Sequence, residues 1–215
     1  MRDNIQFLNG LYGISDEILT PFSTLIYQVQ EAIAGGMKIF QFRDKKSVDK
    51  DIIEIIQHLM DICAKSGVLF VLNDRTELAI NLNVPALHIG KDDGNLQSIR
   101  KRFKGILGVS SYGDLKRAQK AQSSGADYVA FGAMFPSRTK PNAPCVGVDI
   151  LREAREELRI PICAIGGISK DNIKLLKNAD MCAVISSLWD TNPRENAEIL
   201  SKAFEDSKSK DIYEF

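Results

Sequence analysis

KIFQFRDKKSVDKDIIEIIQHLMDICAKSGVLFVLNDR, residues 38–75, reads as a strand, a helix and a second strand. KIFQF (38–42) and VLFVLN (68–73) are short and almost continuously apolar. That pattern suits parallel strands covered on both faces better than strands with one wet side. Between them DKDIIEIIQHLMDICAKSG carries apolar residues at helical spacing and closes on Gly67, a helix-stop signal. Two such strands joined by a helix make a βαβ unit.

The same unit repeats in both directions. Upstream, LYGIS (11–15) precedes TLIYQVQEAIAGG, which places Leu25, Ile26, Val29 and Ile33 on one side. Downstream lie ALHIG (86–90), ILGVSS (106–111), DYVAFGA (127–133), PICAIGG (161–167) and CAVISS (182–187). Helical segments DLKRAQKAQSSGAD, DILREAREEL and SKDNIKLLKNAD follow the fifth, sixth and seventh strands, and NPRENAEILSKAFEDS supplies a last helix with Pro193 near its start. Eight strand–helix units in roughly 200 residues predict a single α/β domain, an eight-stranded parallel (β/α)8 TIM barrel. An open doubly wound sheet is the alternative, though it seldom needs eight consecutive units. No linker or composition break divides the chain, so residues 1–206 are expected to form the barrel. The charged segment SKSKDIYEF (207–215) is expected to be a frayed tail.

Composition narrows the function. Of 215 residues 44% are hydrophobic and 26% charged, enough for one core. Twenty-eight basic residues oppose twenty-eight acidic ones, so nothing points to nucleic acid or an anionic membrane, and an anionic ligand would need local charges. The N-terminus lacks a signal-peptide layout, and no apolar run approaches the roughly 18 residues of a spanning helix, so a cytoplasmic location is expected. Four scattered cysteines (Cys63, Cys145, Cys163, Cys182) do not predict zinc or disulfides. The oligomeric state is left open, a homo-oligomer included.

In such a barrel the chemistry gathers where strands end. Strand two ends in Gln41-Phe42-Arg43-Asp44-Lys45, strand three in Asn73-Asp74-Arg75, and strand four in His88 followed by Lys91 and Asp93. Strand five ends in Ser110-Ser111; the loop after strand six carries Ser137-Arg138-Thr139-Lys140; strands seven and eight end in Gly166-Gly167 and Ile185-Ser186-Ser187. Arg43, Lys45 and Lys140 would converge on one mouth, where a pyrophosphate would neutralise them; solvated surface charge is the bland reading. Asp74 and Asp93 beside those cations suit Mg2+, which takes one or two carboxylates plus substrate phosphates, whereas each aspartate alone could cap a helix. Gly166-Gly167, between a strand and a helix, reads as a monophosphate cradle. His88, in an apolar strand, is expected to be an interior residue.

Taken together, QFRDK (41–45), LNDRTELAI (72–80), ALHIGKDD (86–93), GVSS (108–111), YVAFGAMFPSRTK (128–140), AIGGI (164–168) and VISS (184–187) resemble, in order, the thiamine phosphate synthase family. The resemblance runs from about Leu11 to about Phe204. It implies a transferase that joins hydroxymethylpyrimidine diphosphate to thiazole phosphate by a dissociative route needing no protein nucleophile. Gln41, Arg43, Lys45, Asn73, Ser110 and Lys140, with Phe42 and Asp44 in the same segment, would hold the diphosphate. Arg43, Lys45, Ser110 and Lys140 would carry catalysis. Asp74 and Asp93 would bind Mg2+. Ser137, Arg138, Thr139, Gly167, Ile185 and Ser186 would contact the thiazole phosphate. The chain departs from the pattern at Lys91, Tyr112, Ala133 and Ser137. Tyr112 stands where the related thiazole tautomerases use histidine, which argues against that isomerase alternative. The intact charged set argues against a non-catalytic phosphate-binding barrel. The loops Asp44–Ser47 and Ser137–Cys145 are candidate lids.

Overall fold

The computed structural model describes residues 5–91, 93–136 and 144–209. Among them eight parallel strands close into a barrel in chain order: β1 (Gly10–Ile14), β2 (Ile39–Phe42), β3 (Leu69–Asn73), β4 (Ala86–Ile89), β5 (Ile106–Tyr112), β6 (Tyr128–Phe131), β7 (Ile162–Ile165) and β8 (Met181–Val184). β8 pairs with β1, Leu11 opposite Cys182 and Tyr12 opposite Ala183, which excludes the open sheet.

Alternation along each strand feeds two separate cores. Tyr12, Ile39, Val71, Ala86, Ile106, Tyr128, Cys163 and Met181 fill the barrel interior. Leu11, Phe40, Phe70, Leu87, Leu107, Val129 and Cys182 face outward against the helices. Both faces are buried, and that is why the strands read as continuous apolar runs. Phe40 shows what the outer layer is worth. Its ring lies 6.3 Å from Phe70 and 6.2 Å from Trp189, edge-on to the latter, and truncation to alanine should cost about 3–5 kcal/mol.

The helices are α1 (Phe22–Ala34), α2 (Asp49–Lys65), α3 (Thr76–Asn81), α4 (Leu96–Arg102), α5 (Leu115–Ser123), α6 (Asp149–Glu157), α7 (Ser186–Trp189) and α8 (Pro193–Ser209). α2 buries Ile52, Ile56, Leu59 and Cys63, the stripe its spacing predicts. The segment after β7 departs from expectation: SKDNIKLLKNAD forms only a 3-10 turn at Ile173–Leu175. Asn172 explains it. Its side chain accepts from the Ser169 amide and donates to the Gly167 carbonyl, a local pattern that competes with helix.

α8 runs through Ser209, beyond the boundary expected at 206. Ser207 is buried and donates to the Phe204 carbonyl, and Lys208 Nζ donates to the Ala179 carbonyl at 2.7 Å. Residues 210–215 lie outside the described set. Cys63, Cys163 and Cys182 are buried, and Cys145 is exposed. No helix among the described residues is long and apolar enough to cross a membrane.

Candidate active site

The ends of β1 to β4 carry one continuous network of charges. Ser15, at the end of β1, both accepts from the Arg43 amide and donates to the Arg43 carbonyl, which pins the exit of β2. The next residues turn sharply because Asp16 Oδ1 accepts from the amides of Ile18 and Leu19. That turn places Glu17 between the cations. Its carboxylate lies 3.7 Å from the Arg43 guanidinium and accepts from the Lys45 amide at 3.0 Å. The Lys45 ammonium in turn stands 3.2 Å from Asp74.

Asp74 leaves β3 with φ +65° while its amide donates to the His88 carbonyl, so its carboxylate is carried toward β4. There it neighbours the Asp93 carboxyl, which accepts from the Gly90 amide at 2.6 Å. Partial burial, then the neighbouring Asp74 carboxyl, raise the Asp93 pKa; the Gly90 N–H and Lys45 oppose the rise. Two carboxylates held together beside one ammonium are short of positive charge. A hard divalent cation fits that deficit.

Beneath this rim a buried polar chain crosses the barrel. Gln41 Nε2 donates to the Tyr12 hydroxyl at 2.6 Å, and Tyr12 and Tyr128 hydroxyls meet at 2.9 Å. Tyr128 meets His88 Nδ1 at 2.9 Å, and His88 Nε2 meets Ser110 Oγ at 2.9 Å. Burial lowers the His88 pKa to about 4, with the Asp93 charge opposing, so the imidazole is neutral near pH 7.

On the opposite side the loop after β6 lies across the end of β7. The amides of Met134 and Phe135 donate to the carbonyls of Ile165 and Gly166, and the Gly132–Ala133 peptide is cis. A side chain on Gly167 would fall 2.4 Å from the Pro136 carbonyl oxygen and 2.5 Å from that of Phe135. The glycine is therefore required by loop packing as well as by its φ of +66°. Beyond β8, Ile185 leads into α7, whose first residue Ser186 is exposed.

Comparison with known proteins identifies the family of the chain. The family described as Thiamine monophosphate synthase matches residues 11–188. The chain belongs to this family. A curated thiamine-phosphate synthase from Wolinella succinogenes is 45% identical over 209 residues, covering 94% of this chain and 97% of the relative. One from Acidithiobacillus ferrooxidans is 40% identical over 204 residues, covering 92% and 94%. The solved thiamine phosphate pyrophosphorylase from Pyrococcus furiosus superposes with a TM-score of 0.87 at 31% identity, covering 95% of this chain and 99% of that one. The activity is that of a thiamine-phosphate synthase, a transferase acting on small molecules.

In this thiamine monophosphate synthase family member, Arg43, Lys45, Asp74 and Asp93 join one network, and Gln41, His88 and Ser110 join the chain below it. Asn73 ends β3 half-buried beside them. Phe42 does not reach the mouth: it is 1% exposed, faces the helices and packs on Phe22 at 6.3 Å. Period-two alternation puts its neighbours Gln41 and Arg43 inward and turns Phe42 outward.

Asp44 serves its own loop. It accepts from the amides of Lys46 and Ser47 and from the Ser47 hydroxyl, while Arg75 bonds its carbonyl and carboxylate. Burial raises its pKa, but those hydrogen bonds and Arg75 outweigh it and hold the carboxyl below the usual range. Ser111 points away from the mouth and is fully buried. Ser137, Arg138, Thr139 and Lys140 lie outside the described residues.

Four residues of the site escape a reading of the sequence alone. Glu17 is signalled only by an acidic pair in the loop after β1. Tyr12 and Tyr128 look like ordinary apolar strand residues. Arg117 reads in the sequence as an ordinary helix charge, yet its Nε donates to the Ser110 carbonyl at 2.9 Å, and its guanidinium lies 5.7 Å from the centre of the Tyr112 ring.

Proposed function

We propose that the chain joins hydroxymethylpyrimidine diphosphate to thiazole phosphate, forming thiamine phosphate and pyrophosphate, with Mg2+ at Asp74 and Asp93. The observation that carries this reading is the single network Arg43–Glu17–Lys45–Asp74–Asp93 at one rim. In the free protein the two cations are countered by carboxylates, and a diphosphate would take over that role. Arg43 offers a planar fork for its oxygens and Lys45 a compact charge. Both favour rupture of the C–O bond, whose electron pair leaves with the pyrophosphate. Mg2+, when bound at Asp74 and Asp93, supplies further neutralisation of that leaving group.

The electron-rich aminopyrimidine carries the resulting cation. The thiazole nitrogen lone pair then forms the new C–N bond, so no protein nucleophile is consumed. Gln41, Asn73 and Ser110 orient the pyrimidine substrate. Gly167, Ile185 and Ser186, with Ser137, Arg138, Thr139 and Lys140 from the resemblance, hold the thiazole phosphate or the diphosphate facing it.

The test is product formation with each substrate alone and both together, with and without Mg2+. Stoichiometric thiamine phosphate and pyrophosphate only in the complete mixture is expected. Turnover of the thiazole phosphate alone, with no pyrophosphate released, would establish an isomerase instead.

A further inference from the structure

The polar chain beneath the rim has a direction. Gln41 Nε2 can only donate, so the Tyr12 oxygen receives that bond. The phenolic proton of Tyr12 then has the Tyr128 oxygen as its acceptor at 2.9 Å. Tyr128 has one proton of its own, and His88 Nδ1 stands 2.9 Å away to accept it. A neutral imidazole that accepts at Nδ1 carries its proton at Nε2. That proton points to Ser110 Oγ, again at 2.9 Å. The serine oxygen is thus already an acceptor from inside the barrel, and its hydroxyl hydrogen is left for the mouth. In the opposite direction Tyr12 would accept twice and bury a phenolic proton without an acceptor.

The fold is shaped to keep this line. Tyr12 is 2% exposed and Tyr128 fully buried. The Tyr128 ring occupies the space over Gly108, where an added Cβ would fall 2.0–2.4 Å from its outer atoms. Ring packing, edge-on between Tyr12 and Tyr128 at 6.4 Å and tilted against His88 at 5.5 Å, holds the hydroxyl between its two partners.

We infer that Gln41, Tyr12, Tyr128 and His88 are positioning residues that set the His88 tautomer and so hold the Ser110 hydroxyl as a hydrogen-bond donor to the substrate. The inference deepens the proposed function, and it rests on that reading only where it takes Ser110 to touch the diphosphate substrate. Burial raises both phenols above their ordinary pKa, which keeps their protons available to the chain. Catalysis gains because the donor is aimed before the substrate arrives and need not reorganise.

The direction can be read without turnover. His58 is exposed and is the only other histidine, so the His58→Gln protein leaves one imidazole for long-range 15N–1H correlation. The ligand-free protein near pH 7.5 should show the neutral Nε2–H tautomer for His88. A Nδ1–H tautomer or an imidazolium overturns the inference, whether or not any chain variant folds. Tyr128→Phe should shift the signal toward Nδ1–H. An unchanged tautomer there would show that the chain does not set it.

Kinetics supply the second arm. Tyr128→Phe and Ser110→Ala should each lower kcat roughly tenfold or more with little change in KM for thiazole phosphate, and the double variant should lose no more than Ser110→Ala alone. Multiplicative losses would overturn the shared role. An Nε2–H spectrum together with a kinetically silent Ser110→Ala would remove Ser110 from the substrate site while leaving the direction of the chain intact.

Discussion

The Lys45 ammonium and the Asp74 carboxylate stand 3.2 Å apart across two strand ends. Their proximity joins the cationic half of the rim to its acidic half. The lysine side chain is 57% exposed, so the pair contributes little to folding. Its value is in what it can release: a diphosphate would draw Lys45 away and free Asp74 for a divalent cation.

Lys45→Met should therefore fold normally and raise KM for the diphosphate substrate on the order of tenfold or more, the scale of a lost charged hydrogen bond. Steady-state kinetics with the thiazole phosphate saturating will measure it. An unchanged KM would place Lys45 outside the binding site.

Asp93→Asn removes the like charge beside Asp74 and keeps an acceptor for the Gly90 amide. Thermal unfolding without metal at pH 7 should show a Tm raised by a few degrees. Mg2+ should raise the Tm of the wild type far more than that of the variant, and Mg2+-dependent turnover should fall by orders of magnitude. Equal Mg2+ stabilisation of both proteins would show that Asp93 is not a ligand.

Asp44 gives the acid dependence. Its carboxyl is held below the ordinary value in the fold, so its contribution is present above the unfolded-state pKa of 3.8 and is lost as pH falls through the lower folded value. Asp44→Asn should be less stable than the wild type at pH 7 by about 1–3 kcal/mol, with the gap closing as pH falls below 3.8. Urea unfolding at several pH values reports this. A gap that widens on acidification would reverse the assigned sign.

Gly108→Ala puts a methyl group into the Tyr128 ring. It should cost about 1–3 kcal/mol in an unfolding titration. Adding Tyr128→Ala should cost less in that background than in the wild type, because the methyl then occupies vacated space. Full additivity would mean that the ring and the glycine do not share that space.

Much of the site was legible because a barrel rule converts local position into spatial position. Arg43, Lys45, Asp74 and Asp93 follow strands in the sequence, and strand ends of a barrel meet at one rim. Phe42 shows the limit of that rule. It lies in the same segment as Gln41 and Arg43 but turns outward, because neighbours on a strand face opposite sides. Gly167 carries a mixed signal. Gly-Gly reads as room for a phosphate, and in the fold the loop after β6 occupies the space where a Gly167 side chain would be. Glu17 and Arg117 carried no pattern of their own. Their roles come from where a turn and a helix start happen to aim them.

The order of strands and helices, and the apolar faces that make them fold together, are legible along the chain because hydrophobic period is a local property. Closure decided the rest. Tyr12 and Tyr128 are 116 residues apart, yet their hydroxyls meet at 2.9 Å because β8 returns to β1 and every second side chain then points at a common axis. Hydrogen bonds between distant residues depend on register and direction, and only the closed barrel supplies both.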